Sequence, residues 1–246
     1  METAIDTEFL ERRGKSPRRP LLGLTLLLVE DSRYCSEAMR LLCLKSGARL
    51  RRADCLRTAY RHLATYRPSL VIVDIGLPDG SGLSLVRNLR RQGASGPVVL
   101  VTSGDDPATA RERAHAAGAD GFLEKPIGNV GQFQRYVAGF FPDLAQPAHP
   151  KIVQFHGNVQ PDALAVVDDL RNIRDILQDA IETGAPGRIA YCAQFLHSLG
   201  ETSGNRLFVD LGARLQVWLQ MGTPPLARLN GVITAISAFL DTAVRI

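Results

Sequence analysis

The stretch "SLVIVDIGLPDGSG", Ser69 to Gly82, drives four apolar residues straight into Asp74 and then breaks into Gly, Pro, Asp and Gly. A carboxylate at the end of a buried run is expensive to hold unless its charge is used. Asp74 is therefore either a cap for the next turn or a working oxygen nucleophile. Other polar residues end apolar runs in the same way: Glu30 and Asp31 after "LTLLLV", Thr102 in "VVLVTSG" and Lys125 in "GFLEKP". Brought together, the three carboxylates repel one another unless a cation joins them. Oxygen ligands, few of them from protein, suit Mg2+. Lys125 adds an ammonium and Thr102 a hydroxyl donor, while Gly76, Ser103 and Gly104 keep side-chain bulk away. These are the parts of phosphoryl transfer onto Asp74, where catalysis is mostly positioning and charge neutralisation.

Such a site needs elements that bring those residues to one edge. From Leu24 onward, short apolar runs alternate with helical patterns. Strands are predicted at 24–30, 48–53, 69–74, 97–104 and 120–126, and helices at 33–46, 55–66, 81–92, 107–118 and 128–140. Ser32 can cap the first helix and Gly47 end it. Five strand-then-helix repeats with short connections imply an α/β fold, a five-stranded parallel doubly wound sheet of flavodoxin-like type. In such sheets the reactive crevice lies beyond the carboxyl ends of the strands. Glu30, Asp31, Asp74, Thr102 and Lys125 all fall there.

At this point the chain resembles a known family. "LLVEDS", "VIVDIGLPDGSG", "VVLVTSG" and "GFLEKP" are similar, in order and spacing, to the receiver domain of bacterial two-component response regulators, over roughly 24–142. The resemblance implies Asp74 as phosphoacceptor and Asp31 as Mg2+ ligand, with Glu30 ligating through water and the Gly76 carbonyl as third protein ligand. It implies that Thr102 and Lys125 bind phosphoryl oxygens. Phe122 sits where the family carries a switching aromatic, without a tyrosine hydroxyl. A histidine kinase or phosphotransfer protein is the implied donor, and the protein is a phosphoacceptor of cytoplasmic signalling, not an enzyme.

Beyond Pro142, "PDLAQPAHPKIVQFHGNVQ" has no clean period and reads as a linker over 143–160, with His149 and His156 incidental. Four amphipathic segments follow at 161–182, 187–202, 206–220 and 225–245, broken at "TGAPG", "SGN" and "GTPP". Breaks that short imply an all-α antiparallel four-helix bundle. His197 lies about 120° from the centre of the stripe formed by Ile189, Cys192, Leu196 and Leu199, so it should flank the core. "HSL", "SGN", Leu211 and Leu215 resemble a histidine phosphotransfer (HPt) domain, which implies a phosphohistidine at His197 and a receiver domain as docking partner. Gly200 and Glu201 stand where that family has Lys and Gly. Two readings stay open: relay through His197, or a helical bundle kept for docking, dimerisation or nucleic-acid output.

The totals narrow the choice. Of 29 Lys+Arg and 25 Asp+Glu, residues 161–246 hold seven and nine, with no lysine after Lys151. That balance argues against nucleic acid as the partner of the C-terminal helices. Arg40, Lys45, Arg49, Arg51, Arg52, Arg57 and Arg61 form a basic cluster, either a solvated face or a docking surface for an acidic partner. The four cysteines show no metal or disulfide spacing and read as reduced thiols. Residues 1–20 read as a disordered basic tail leading into the receiver at 21–142. The ten uncharged residues from Pro20 are too few to span a bilayer, so no membrane partner is expected.

Overall fold

The computed structural model describes residues 19–91, 96–142, 157–222 and 224–243. The expected basic tail, apart from its last two residues, lies outside this range, as does 143–156 of the linker with His149 and His156. The chain runs β1 (Thr25–Val29), α1 (Arg33–Ser46), β2 (Arg49–Ala53), α2 (Leu56–Thr65), β3 (Leu70–Asp74), β4 (Gly76–Leu77), β5 (Gly80–Ser81), α3 (Gly82–Arg91), β6 (Val98–Ser103), α4 (Pro107–Ala116), β7 (Gly121–Glu124) and α5 (Val130–Ala138). Four longer helices follow: α6 (Ala163–Thr183), α7 (Pro186–Ser203), α8 (Arg206–Gln220) and α9 (Leu226–Ala243).

Five strands form one parallel sheet in the order β2-β1-β3-β6-β7. Its apolar runs are continuous because both faces are covered. Leu27, Val29, Val71, Val73, Val99 and Val101 meet α2, α3 and α4 on one face. Leu26, Leu28, Leu70, Ile72 and Leu100 meet α1 and α5 on the other. Each fully buried aliphatic side chain of this kind stabilises by about 1.5–3 kcal/mol.

The register aligns the strand ends. Val29 pairs with Val73, Asp74 with Thr102, and Ser103 with Glu124. The chain therefore delivers Glu30, Asp31, Asp74, Thr102 and Lys125 to one edge. Ser32 caps α1 by accepting from the Cys35 amide, and Gly47, at φ 84°, ends it in the left-handed region that glycine favours.

The turn expected after β3 contains a short hairpin, β4 against β5, with Gly76 opposite Ser81. It projects Asp79 toward α2, whose own N-cap, Cys55, supplies no side-chain bond; the Asp79 carboxylate accepts from the Leu56 and Arg57 amides instead. The end of the expected linker is tied down. Asn158 bridges to Asn129, and Val159 is buried in the sheet's α1–α5 core.

The C-terminal helices build their own core around Leu170, Ile173, Leu177, Cys192, Leu196, Phe208, Leu215 and Ile236. Close approach of α7 and α8 depends on glycine: a Cβ on Gly212 would sit 2.6 Å from the His197 amide nitrogen, and one on Gly200 2.5 Å from that of Val209. Among the described residues, no helix is long and apolar enough to cross a membrane.

Candidate functional site

Asp74 is buried at the carboxyl end of β3. Its Oδ1 accepts from Lys125 Nζ at 2.9 Å, and its Oδ2 from the Gly76 amide at 2.8 Å. Lys125 Nζ also pairs with Glu30 Oε2 at 2.8 Å, and its side chain is only 4% exposed. One ammonium thus neutralises two buried carboxylates, where screening by water is weak. Burial works against the charge of Lys125, yet Asp74 and Glu30 hold its pKa well above the ordinary lysine range. Burial, with help from Asp74 and against the pull of Lys125, pushes Glu30 up to about 7. Asp31 is raised well above the usual carboxylate range by burial and then by Glu30 and Asp74, although a hydrogen bond from Tyr191 opposes the shift.

Thr102, paired with Asp74 in the sheet, buries its Oγ1 without a hydrogen-bond partner. An orphaned hydroxyl beside an acceptor carboxylate is a donor left over for a further oxygen-rich group. Gly82 lets the chain turn tightly here, since a Cβ on it would fall 2.0 Å from the Asp74 carbonyl oxygen. Phe122 is buried on the sheet face that meets α4, with the Arg111 guanidinium 5.7 Å from its ring centre.

The donors at this edge suit a hard divalent ion: Asp74 raises the pKa of both Glu30 and Asp31, Glu30 raises that of Asp31, and positive charge relieves both. Among the described residues, no three acidic, histidine or cysteine side chains converge closely enough to enclose a metal unaided. Asp31 is engaged by Tyr191, while Lys125 holds Glu30 and Asp74. Magnesium asks for less, since one or two carboxylates completed by waters hold it. On donor chemistry the residues fit.

What lies over this pocket is not marked by any motif. α7 lies across it through one stripe at intervals of three and four residues. Tyr191 donates its phenol proton to Asp31 Oδ2, Gln194 Nε2 donates to Asp105 Oδ2 at 3.0 Å, and Ser198 Oγ is 3.4 Å from Lys125 Nζ. The contact reaches the backbone: a Cβ on Gly76 would lie 2.7 Å from Gln194, and one on Gly104 2.4 Å from Ser198. α6 joins α1 beside it. Asp169, 3% exposed, accepts from Ser32 Oγ at 2.7 Å and from the amides of Arg33 and Tyr34 at 2.8 and 3.1 Å. A carboxylate there satisfies free amides at the positive end of α1. The Arg33–Asp168 pair nearby is exposed and contributes little.

His197 is not brought to Asp74. It follows α7 round by one residue, about 100° from Ser198, and its backbone packs on Gly212 of α8. Its Nδ1 is buried without a hydrogen-bond partner. The apolar stripe located His197 at the rim of the bundle, but not which rim position meets the sheet. The polar run Tyr191, Gln194, Ser198 carried that signal, and it is indistinguishable in sequence from a solvated helix face.

The five-stranded parallel sheet has the flavodoxin-like fold of a receiver. The profile of the response regulator receiver domain matches residues 26–136, ending before α6. That segment is a response regulator receiver domain. Among curated relatives, the KDP operon transcriptional regulatory protein KdpE of Escherichia coli is 35% identical over 109 residues, 44% of this chain and 47% of that one. Response regulator protein PmrA of Pseudomonas aeruginosa is 32% identical over 139 residues, 56% and 61% of the two chains. The solved response regulator receiver domain from Methylobacillus flagellatus is 26% identical with a TM-score of 0.42, covering 47% of this chain and 97% of that one. The chain spans about half the length of the curated relatives it matches.

Proposed function

We propose that the protein accepts a phosphoryl group on Asp74 from a histidine kinase or phosphotransfer protein in the cytoplasm, with Mg2+ as cofactor. One observation carries the reading: the Asp74 carboxylate lies 2.9 Å from a buried ammonium and beside the orphaned Thr102 hydroxyl. A carboxylate oxygen of Asp74 attacks phosphorus as the phosphorus–nitrogen bond of a donor phosphohistidine breaks. The bonding pair returns to the imidazole, which takes up a proton. Lys125 and Thr102 turn to the phosphoryl oxygens, and the Gly76 amide orients the nucleophile. Asp31, Asp74 and the Gly76 carbonyl, with Glu30 through water, are the residues to hold the ion, which when bound neutralises charge on the transferring group.

In this reading 21–142 is the receiver and 161–246 an output or docking module. Docking is favoured over relay, because Ser198 and Gln194 face the pocket while His197 packs toward α8. The relatives named as transcriptional regulators make nucleic-acid output the next choice, and the acidic balance of 161–246 speaks against it. Incubation with a radiolabelled phosphodonor is the test. Label should appear in wild type and in His197→Gln and be absent from Asp74→Asn. Undiminished label in Asp74→Asn would overturn the reading.

A further inference from the structure

Tyr191, Gln194 and Ser198 occupy the ground that a phosphorylation cycle needs. Tyr191 takes an oxygen of Asp31, Gln194 lies on the Gly76 backbone, and Ser198 lies on Gly104 beside Lys125. None of these is an accidental surface touch. The Asp31–Tyr191 bond is part-buried, at the inner wall of a cleft beside the pocket. The second anchor, Asp169, bonds none of the three carboxylates and satisfies three donors at the start of α1.

We infer that α7 is an intramolecular plug: its docking and the binding of a divalent cation at Glu30, Asp31 and Asp74 oppose each other, so the unplugged form is the one that is phosphorylated. The inference rests on the phosphoacceptor reading above and adds its regulation. Opposition follows from shared ground, since one Asp31 oxygen cannot be fully committed both to a phenol proton and to a cation, and a donor protein cannot reach Asp74 through α7. Linkage makes the effect mutual: whatever weakens docking tightens cation binding by the same factor, and the ion loosens docking. The open flank is a cleft of about 840 Å³ lined by Asp31, Arg52, Asp54, Asp168, Asn172 and Tyr191, through which water and small ions reach the pocket.

The test uses the full chain. Mg2+ is titrated calorimetrically into wild type, Tyr191→Phe and Asp169→Ala, with circular dichroism to verify folding, and hydrogen exchange of 186–203 is followed in wild type with and without Mg2+. Tyr191→Phe removes only the phenol hydroxyl, and Asp169→Ala weakens docking while leaving all three carboxylates in place. Both variants should bind Mg2+ about tenfold more tightly, and the ion should speed exchange in α7. The exchange measurement stands even if a variant fails to fold. Equal affinities in the folded proteins, or exchange in α7 unmoved by the ion, overturn the plug and leave the phosphoacceptor reading intact. No Mg2+ binding by any of the three overturns both.

Discussion

Lys125 is the residue on which the pocket's balance turns, because its ammonium faces two carboxylates that are buried as it is. Lys125→Met leaves Glu30 and Asp74 facing each other without a counterion, and breaking a buried pair from one side typically costs about 3–5 kcal/mol. Urea unfolding should show that loss, and combining the change with Glu30→Gln should recover part of it. Thr102 predicts the opposite sign. Its hydroxyl is buried and unpaired, so Thr102→Val, nearly the same shape, should stabilise the unphosphorylated protein by about 1 kcal/mol. The same change should shorten the lifetime of label on Asp74. The pocket residues were legible in sequence because each ends an apolar run, and parallel strands gather their ends by construction. Asp169 and Tyr191 were not, since a capping carboxylate or a docking phenol matters only through a surface distant in the chain.

Among the elements, those with a strong period were readable and those fixed by contact were not. β1, β3 and β6 showed as apolar runs, and the caps Ser32 and Gly47 marked α1 at both ends. The β4–β5 hairpin escaped because two residues per strand carry no period, and its consequence, Asp79 capping α2 from outside, escaped with it. The α7–α8 contact is similarly invisible in pattern, although the glycines that permit it are plain to see. Gly212→Ala would place a methyl group 2.7 Å from the Ala193 carbonyl oxygen and 2.8 Å from the His197 Cβ. Backbone must move, and overpacking of this kind costs about 1–3 kcal/mol. A lowered melting temperature of the full chain would register it, with the Asp74 label retained.

At the scale of the whole molecule, the charge is divided. Lys45, Arg49, Arg51, Arg52, Arg57 and Arg61 are exposed on α1, β2 and α2, whereas the C-terminal helices carry a slight acidic excess. A solvated face needs no partner, but a steering surface has a salt signature. Arg51→Glu with Arg52→Glu should slow phosphorylation by a cognate kinase about tenfold at low ionic strength, with the gap narrowing as salt is added. Stopped-flow phosphotransfer at two salt concentrations measures it, and an unchanged rate would assign the cluster to solvation. Val159 has a consequence at this scale as well. Because it is sunk into the sheet's core beside α5, a C-terminal unit that lifts away swings from a leash only a few residues long, between Val159 and the start of α6. Over so short a tether its local concentration stays high. Reseating is then fast and independent of dilution, and a rival protein must outcompete a neighbour that never leaves.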